Sequence, residues 1–465
     1  MMVYLPLFKA SGVSIVTLRR ITLLAVFIFF IAGWFIPIGG STGARGMSLI
    51  RDTEIENTIR SYAAPILRVA SLEEEAFNIH VVRSNALNAF VARGQRLFVT
   101  TGLMRRSGDA NQLIGVIAHE IGHIAGGHLA RATAALKTAG KAAFISQIIG
   151  VAAGILSGSP GAGIAAAAGG GHVAERSFLN YSRGQEQAAD QAGVKFLDRA
   201  GMSSRGMLDF LNILSNQDLL HSSRQNPYVR THPLTRGRIA FVRQHVSTSH
   251  YTDRPISSEF ARMHRRLVAK LDGYMDPPGK TLRAYKDSDH SIPSRYARSI
   301  AHFRQGDLVR AVPLVDGLLS EEPLNPYFHE LKGQMMFENG RMEAALDSYR
   351  ESIRLLPNAP LLRTALAHVE IEINRPELID DALIHTKAAL RVDRFISLAW
   401  RLKGVAHGRK GQRGLSAVSL AEYNLLIGRK SQAKTLAQRA LKLLKEGEPA
   451  WLHAQDIKRQ TDRKG

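Results

Sequence analysis

Cysteine is absent from all 465 residues. That excludes a disulfide scaffold, a lipid-modified N-terminal cysteine and any zinc site built on thiolates. Acidic residues are scarce beside basic ones: 40 Asp and Glu face 61 Lys and Arg, a formal charge of +21. Such a balance favours anionic surfaces, either lipid headgroups or nucleic acid. No nucleic-acid partner is expected, because the basic residues are spread along the chain and no aromatic-basic recognition motif accompanies them. A membrane surface fits better. Long apolar runs are few, and the longest stands near the N-terminus, where Lys9, Arg19 and Arg20 precede Ile21 to Ile38. This run reads as an export signal or an uncleaved membrane anchor. Small residues at Thr42 and Ala44 suit a cleavage site, and either outcome exports the rest of the chain, to the periplasm by this reading.

What the chain does contain is His119-Glu120-Ile121-Gly122-His123. On a helix the two histidines of this HExxH pentad lie about 40° apart around the axis, so both imidazoles can reach one metal ion with the glutamate beside it. Gln112 to Ala118 leads into the pentad with apolar residues at helical spacing, which places it on a helix. The plain alternative is an amphipathic helix with two surface histidines. His128 invites a longer histidine motif, but that motif needs its third histidine at the position of Leu129. On a continuing helix His128 falls about 180° from His119, so it is expected to face solvent.

A third ligand should then be a carboxylate from a second helix, leaving water in the fourth position. Glu186 and Asp190 lie 67 and 71 residues after His119 and are again four apart. One carboxylate can bind a metal while the other accepts a hydrogen bond from a ligand histidine. An ordinary charged helix face is the alternative.

The organisation is mostly helical α+β. Residues 1–44 are the signal or anchor, and 51–248 read as one compact catalytic-type domain. Within it, Asn78 to Arg83, Ala89 to Val91 and Arg96 to Thr100 are short β-type runs suggesting a small antiparallel sheet. An edge strand there could pair with an extended peptide. Residues 132–171 are rich in Ala, Gly, Ile and Ser, with almost no charge beyond Lys137 and Lys141. A membrane-dipping hairpin, a buried helix pair and a lid compete for this segment, and a small-residue hairpin beside the cleft is preferred. Residues 249–293 read as a helix and linker. In 294–465, Gly306 recurs at Gly340, Ala311 at Ala345 and Pro323 at Pro357, each after 34 residues. That is the period of tetratricopeptide repeats, whose stacked helix pairs offer a concave surface for peptides or proteins.

These motifs carry a resemblance. HEIGH, Glu186-x-x-Ala189-Asp190, Thr231-His232-Pro233-Leu234 with Arg238, and Asn88-Ala89-Phe90 followed by Thr100-Thr101-Gly102-Leu103 are similar to peptidase family M48, the gluzincins that include the CAAX prenyl protease and HtpX. The order of signal, peptidase domain and repeat array resembles the family's periplasmic zinc metalloproteases with tetratricopeptide repeats, over nearly the whole chain. The resemblance implies a gluzincin-type zinc metalloendopeptidase domain followed by an all-α repeat solenoid. It implies one Zn2+ per chain on His119, His123 and Glu186, with Glu120 as general base. It further implies that His232 approaches the zinc, holding the enzyme repressed or assisting at the transition state; a histidine in a His-Pro turn is the alternative. Asp190 and Arg238 are expected as a buried pair behind the ligands. The function implied is envelope protein quality control, cleaving misassembled outer-membrane proteins or acting on their assembly machinery through the repeats. A chaperone or assembly adaptor with minor, repressed proteolysis is the alternative. A retired peptidase is disfavoured, because Glu120 is intact.

Overall fold

The computed structural model describes residues 48–92, 94–128, 172–218 and 232–462. The apolar run at 21–38, the cleavage motif at 42–44 and the segment at 132–171 lie outside the described residues. No helix among those described is long and apolar enough to cross a membrane.

A short strand β1 (Leu49–Ile50) leads into helix α1 (Thr53–Val69). Asp52 starts α1 by accepting a hydrogen bond from the Ile55 amide, which would otherwise be an orphan at the helix end. Ile55, Ile59, Tyr62 and Ile66 recur at helical spacing and bury that face in the core. Strands β2 (Asn78–Val82), β3 (Ala89–Ala92) and β4 (Arg96–Thr100) complete a sheet of order β1-β2-β4-β3. β4 pairs antiparallel with β3 but parallel with β2, so the sheet is mixed where antiparallel pairing alone was expected. The β3–β4 hairpin folds back to lay β4 against β2, and short β-type runs specify strands without their order. One consequence matters for function: β3 is an edge strand.

Thr100 ends β4 and caps α2 (Thr101–Arg106) by accepting from the Leu103 amide. Helix α3 (Ala110–Ala125), which carries the pentad, then runs through the core. Leu113, Ile114, Val116, Ile117, Ala118 and Ile121 are all buried, as expected of a helix apolar around most of its circumference. Helices α4 (His172–Arg199), α5 (Arg205–Asp218) and α6 (Arg236–Thr248) pack around it or one another.

Residues 249–293 hold α7 (Ser258–Met275) and α8 (Pro278–Ala284). Beyond them the chain is helical hairpins: α9 (Ile292–Arg304) with α10 (Leu308–Glu321), α11 (Pro326–Glu338) with α12 (Met342–Leu355), α13 (Pro360–Ile373) with α14 (Pro376–Val392), and α15 (Ser397–Arg409) with α16 (Arg413–Leu426). α17 (Lys430–Leu443) and α18 (Pro449–Asp462) follow. The turns inside the first three hairpins fall at Gly306, Gly340 and Asn374, all with positive φ and 34 residues apart. The third unit thus keeps the period with asparagine in place of glycine. Its three extra residues lie in α14, which has 17 residues where α10 and α12 each have 14.

The repeats are tied to the first part of the chain by buried charge. Glu54 on α1 accepts from Arg266 on α7 at 2.8 Å and from the Tyr296 hydroxyl on α9 at 2.8 Å, and Lys270 lies 3.3 Å from it and 2.8 Å from Asp52. Burial would raise the Glu54 pKa, but Lys270 and Arg266 hold it below the usual carboxylate range. Arg51 also bridges to Asp393, just past the end of α14, at 2.9 Å. Breaking a buried pair strands an uncompensated charge. Glu54→Ala is therefore expected to cost about 3 kcal/mol, read as a lower urea midpoint. Glu74→Ala, which breaks the exposed pair with Arg68, should cost less than about 1 kcal/mol. Equal midpoints for the two variants would refute a stabilising role for this junction.

Candidate metal centre

Four side chains from three parts of the chain converge behind β3. His119 and His123 come from α3, Glu186 from α4, and His232 from the segment leading into α6. One donor atom from each lies within 4.8 Å of all the others. Two helices must approach closely for this to happen. At Gly122, a Cβ would stand 2.6 Å from the Ala189 carbonyl oxygen on α4, so only glycine lets the pentad meet the helix of Glu186 at this distance.

The donor spacings test whether a metal fits. His119 Nε2 lies 3.1 Å from His123 Nε2 and 3.3 Å from Glu186 Oε2, and His123 Nε2 lies 3.2 Å from Glu186 Oε1. Zinc–donor bonds of about 2.0–2.1 Å in a tetrahedron put neighbouring donors roughly 3.3 Å apart. These separations match the donor–donor edge of a zinc tetrahedron, with a different Glu186 oxygen facing each histidine. His232 Nδ1 continues the pattern at 3.1 Å from both Glu186 oxygens and 3.4 Å from His119 Nε2. Its other nitrogen, Nε2, is 3.5 Å from Glu120 Oε1.

Behind the donors stands a second layer. Asp190 Oδ1 is 2.8 Å from His119 Nδ1, so the ring's opposite nitrogen faces the cluster. Arg238, 1% exposed, donates to both Asp190 oxygens at 2.6 and 2.9 Å and lies 2.9 Å from Glu186 Oε2. One guanidinium thus fixes a ligand carboxylate and the partner of a ligand histidine.

The electrostatics suit a cation. Burial would raise the Glu186 pKa, but His232, His119 and His123 hold it well below the usual range, so the carboxylate is ionised. Burial pushes His123 down to about 3, leaving it neutral with a lone pair for a metal. Burial opposes the charge on His119 too, but Asp190 and Glu186 outweigh it and raise that pKa to about 9. A bound cation would displace that proton. Glu120 is fully buried, and burial raises its pKa against the pull of His232 and His119. Among the described residues neither of its carboxylate oxygens has a hydrogen-bond partner, although the Val91 amide on β3 lies near enough to favour its charged form. An unpartnered buried carboxylate beside a metal cluster is a proton acceptor in waiting.

His128 does not face solvent. It is 4% exposed, and its Nδ1 lies 3.0 Å from His123 Nδ1. A solvent-facing His128 would require a helix continuing through residue 128. Instead α3 stops at Ala125, and Gly127, with φ of +60°, turns the chain so that His128 comes back over the ligand. The Gly126-Gly127 pair was the available signal, since a glycine with positive φ commonly follows a helix end.

Residues 50–246 match the family described as Peptidase family M48. The chain is 24% identical over 416 residues, 86% of its length and 81% of the relative's, to the Beta-barrel assembly-enhancing protease of Escherichia coli (strain K12). It is 24% identical over 402 residues to the protein of that name from Yersinia pestis, covering 82% of that protein. Metalloprotease YcaL of Escherichia coli (strain K12) is 29% identical over 173 residues, 37% of this chain and 63% of that protein. Among solved structures, a thermophilic tetratricopeptide protein of Thermus thermophilus aligns over 36% of this chain and 98% of its own with 16% identity and a TM-score of 0.25. The repeat assignment rests on the 34-residue spacing and the helical hairpins rather than on that likeness. With this match lying over a His/Glu cluster spaced for zinc, residues 50–246 are a zinc metallopeptidase domain of peptidase family M48.

Proposed function

We propose that this chain is an exported zinc-dependent endopeptidase of the cell envelope that cleaves misassembled proteins, outer-membrane proteins foremost, delivered by its repeat array. The observation that carries the reading is the unpartnered Glu120 carboxylate set between the donors His119, His123 and Glu186 and the edge strand β3. When bound there, zinc polarises the scissile carbonyl and lowers the pKa of a coordinated water to about 7.

The chain's own residues do the rest. His119, His123 and Glu186 hold the ion, oriented by Asp190 and Arg238. Glu120 takes the proton from the attacking water and returns it to the departing amine. Strand β3, at the edge of the sheet among the described residues, pairs with an extended substrate backbone, which orients the amide with little regard to its side chains. The repeats raise the local concentration of a client at that edge. Export is supported by the apolar run at residues 21–38, which would also supply an anchor if retained, and the client class by the name of the E. coli relative.

A second reading, an assembly adaptor with repressed proteolysis, is favoured by His232. Its Nδ1 stands where a fourth donor would, at 3.1 Å from Glu186. Closed four-donor zinc sites are structural, whereas catalytic ones keep a position for water. His232 must withdraw before water can be activated.

Two variants separate these roles. Glu120→Gln is expected to keep about one zinc per chain but to slow cleavage of an unfolded protein by roughly 10²–10⁴-fold, since only the base is lost. Persistence of cleavage would contradict the assignment. His232→Ala is expected to keep zinc and to raise cleavage of the same substrate. Loss of zinc would make His232 an obligatory ligand, and unchanged cleavage would remove its repressive role.

A further inference from the structure

We propose that His128 is a positioning residue for the metal: its Nδ1 accepts the Nδ1 proton of His123 and so fixes the ring and tautomer of that ligand. This rests on the metal-site reading above. His123 Nε2 faces Glu186 at 3.2 Å and must carry a lone pair to bind a cation. The proton of a neutral imidazole then sits on Nδ1, which has His128 Nδ1 3.0 Å away. Only one of two facing nitrogens can donate, so His128 accepts, and its own proton is on Nε2. His119 has the same arrangement through Asp190, at 2.8 Å. Each ligand histidine thus has its own buried orienter, one anionic and one neutral. A neutral acceptor beside His123 avoids adding another carboxylate to a cluster that already holds Glu186, Asp190 and Glu120.

His128 is itself held from two sides. Its backbone carbonyl accepts from the Gln185 side chain at 3.3 Å, and Gln185 precedes the ligand Glu186 on α4. Its ring lies over Gly126, where an added Cβ would come 2.4 Å from Nε2. Gly126 has right-handed helical φ and ψ of −69° and −10°, so alanine suits the backbone there and only the imidazole collides. The glycine therefore makes room for the ring, and the ring secures the ligand.

The test is zinc affinity of the full chain by competition with a chromogenic chelator, together with the visible spectrum of the cobalt-substituted protein and the urea midpoint of the metal-free protein. Losing a partner behind a ligand histidine typically costs 10–100-fold in metal affinity. His128→Phe, which keeps a ring but no acceptor, is expected to weaken zinc binding by about that factor and to alter the cobalt spectrum, with the metal-free midpoint little changed. His128→Asn places an amide oxygen where Nδ1 stood and is expected to restore affinity and spectrum. Gly126→Ala, which displaces the ring without altering it, is expected to weaken zinc binding in the same sense. Wild-type affinity in His128→Phe would overturn the proposal, and so would a His128→Asn protein as weak as His128→Phe, because packing alone would then be the role. A wild-type chain that binds no zinc would overturn the metal-site reading itself, a separate result.

Discussion

Backbone contact between α3 and α4 is the constraint on which the rest of this molecule depends. At Gly122 the two helices come so close that a single Cβ would strike the Ala189 carbonyl at 2.6 Å. That approach brings Glu186 from the second helix within 3.3 Å of both pentad nitrogens. It also sets Asp190, one turn further along α4, behind His119. Because α3 lies deep in the core, packed by Leu113, Ile117 and Ile121, the donors cannot adjust independently. A rigid, dry frame is what a metal centre of fixed geometry requires.

Such a frame concentrates charge, and the fold answers it locally. Glu186 and Asp190 share the Arg238 guanidinium, while His123, the more neutral of the two ligand histidines, is backed by another histidine. Within this cluster Glu120 is the carboxylate without a hydrogen-bond partner among the described residues. In the proposed reaction that exception is the useful one, since a carboxylate already engaged by the fold could not take a proton from water. His232 lies 3.1 Å from Glu186 and 3.5 Å from Glu120, so one imidazole meets both the donor cluster and this carboxylate. A second network at Glu54, Arg266, Lys270 and Tyr296 fastens the repeat array to the same body. Removing the array would take the Tyr296 hydroxyl from Glu54 and the Asp393 carboxylate from Arg51, so point changes report on the repeats more cleanly than truncation does.

Much of this was legible in the sequence because the chemistry leaves fixed spacings. Four-residue separations placed His119 with His123 and Glu186 with Asp190 on shared helix faces, and a 34-residue period marked the hairpins. What was not legible depended on chain reversals. The angular reading of His128 failed because α3 ends at Ala125 and Gly127 turns the chain back toward the pentad. Strand order was hidden for the same reason: the β3–β4 hairpin decides that β4 lies against β2 in parallel, and no local pattern records it. Asn374 escaped the repeat count because asparagine tolerates the left-handed conformation that glycine usually supplies.

X-ray absorption at the zinc edge of the purified 465-residue chain tests the metal centre most directly. One zinc is expected in a first shell of only nitrogen and oxygen at about 2.0–2.1 Å, with scattering from at least two imidazoles and a third when His232 is engaged. A chain that takes up no zinc, or zinc bound with fewer than two imidazoles, would contradict that expectation.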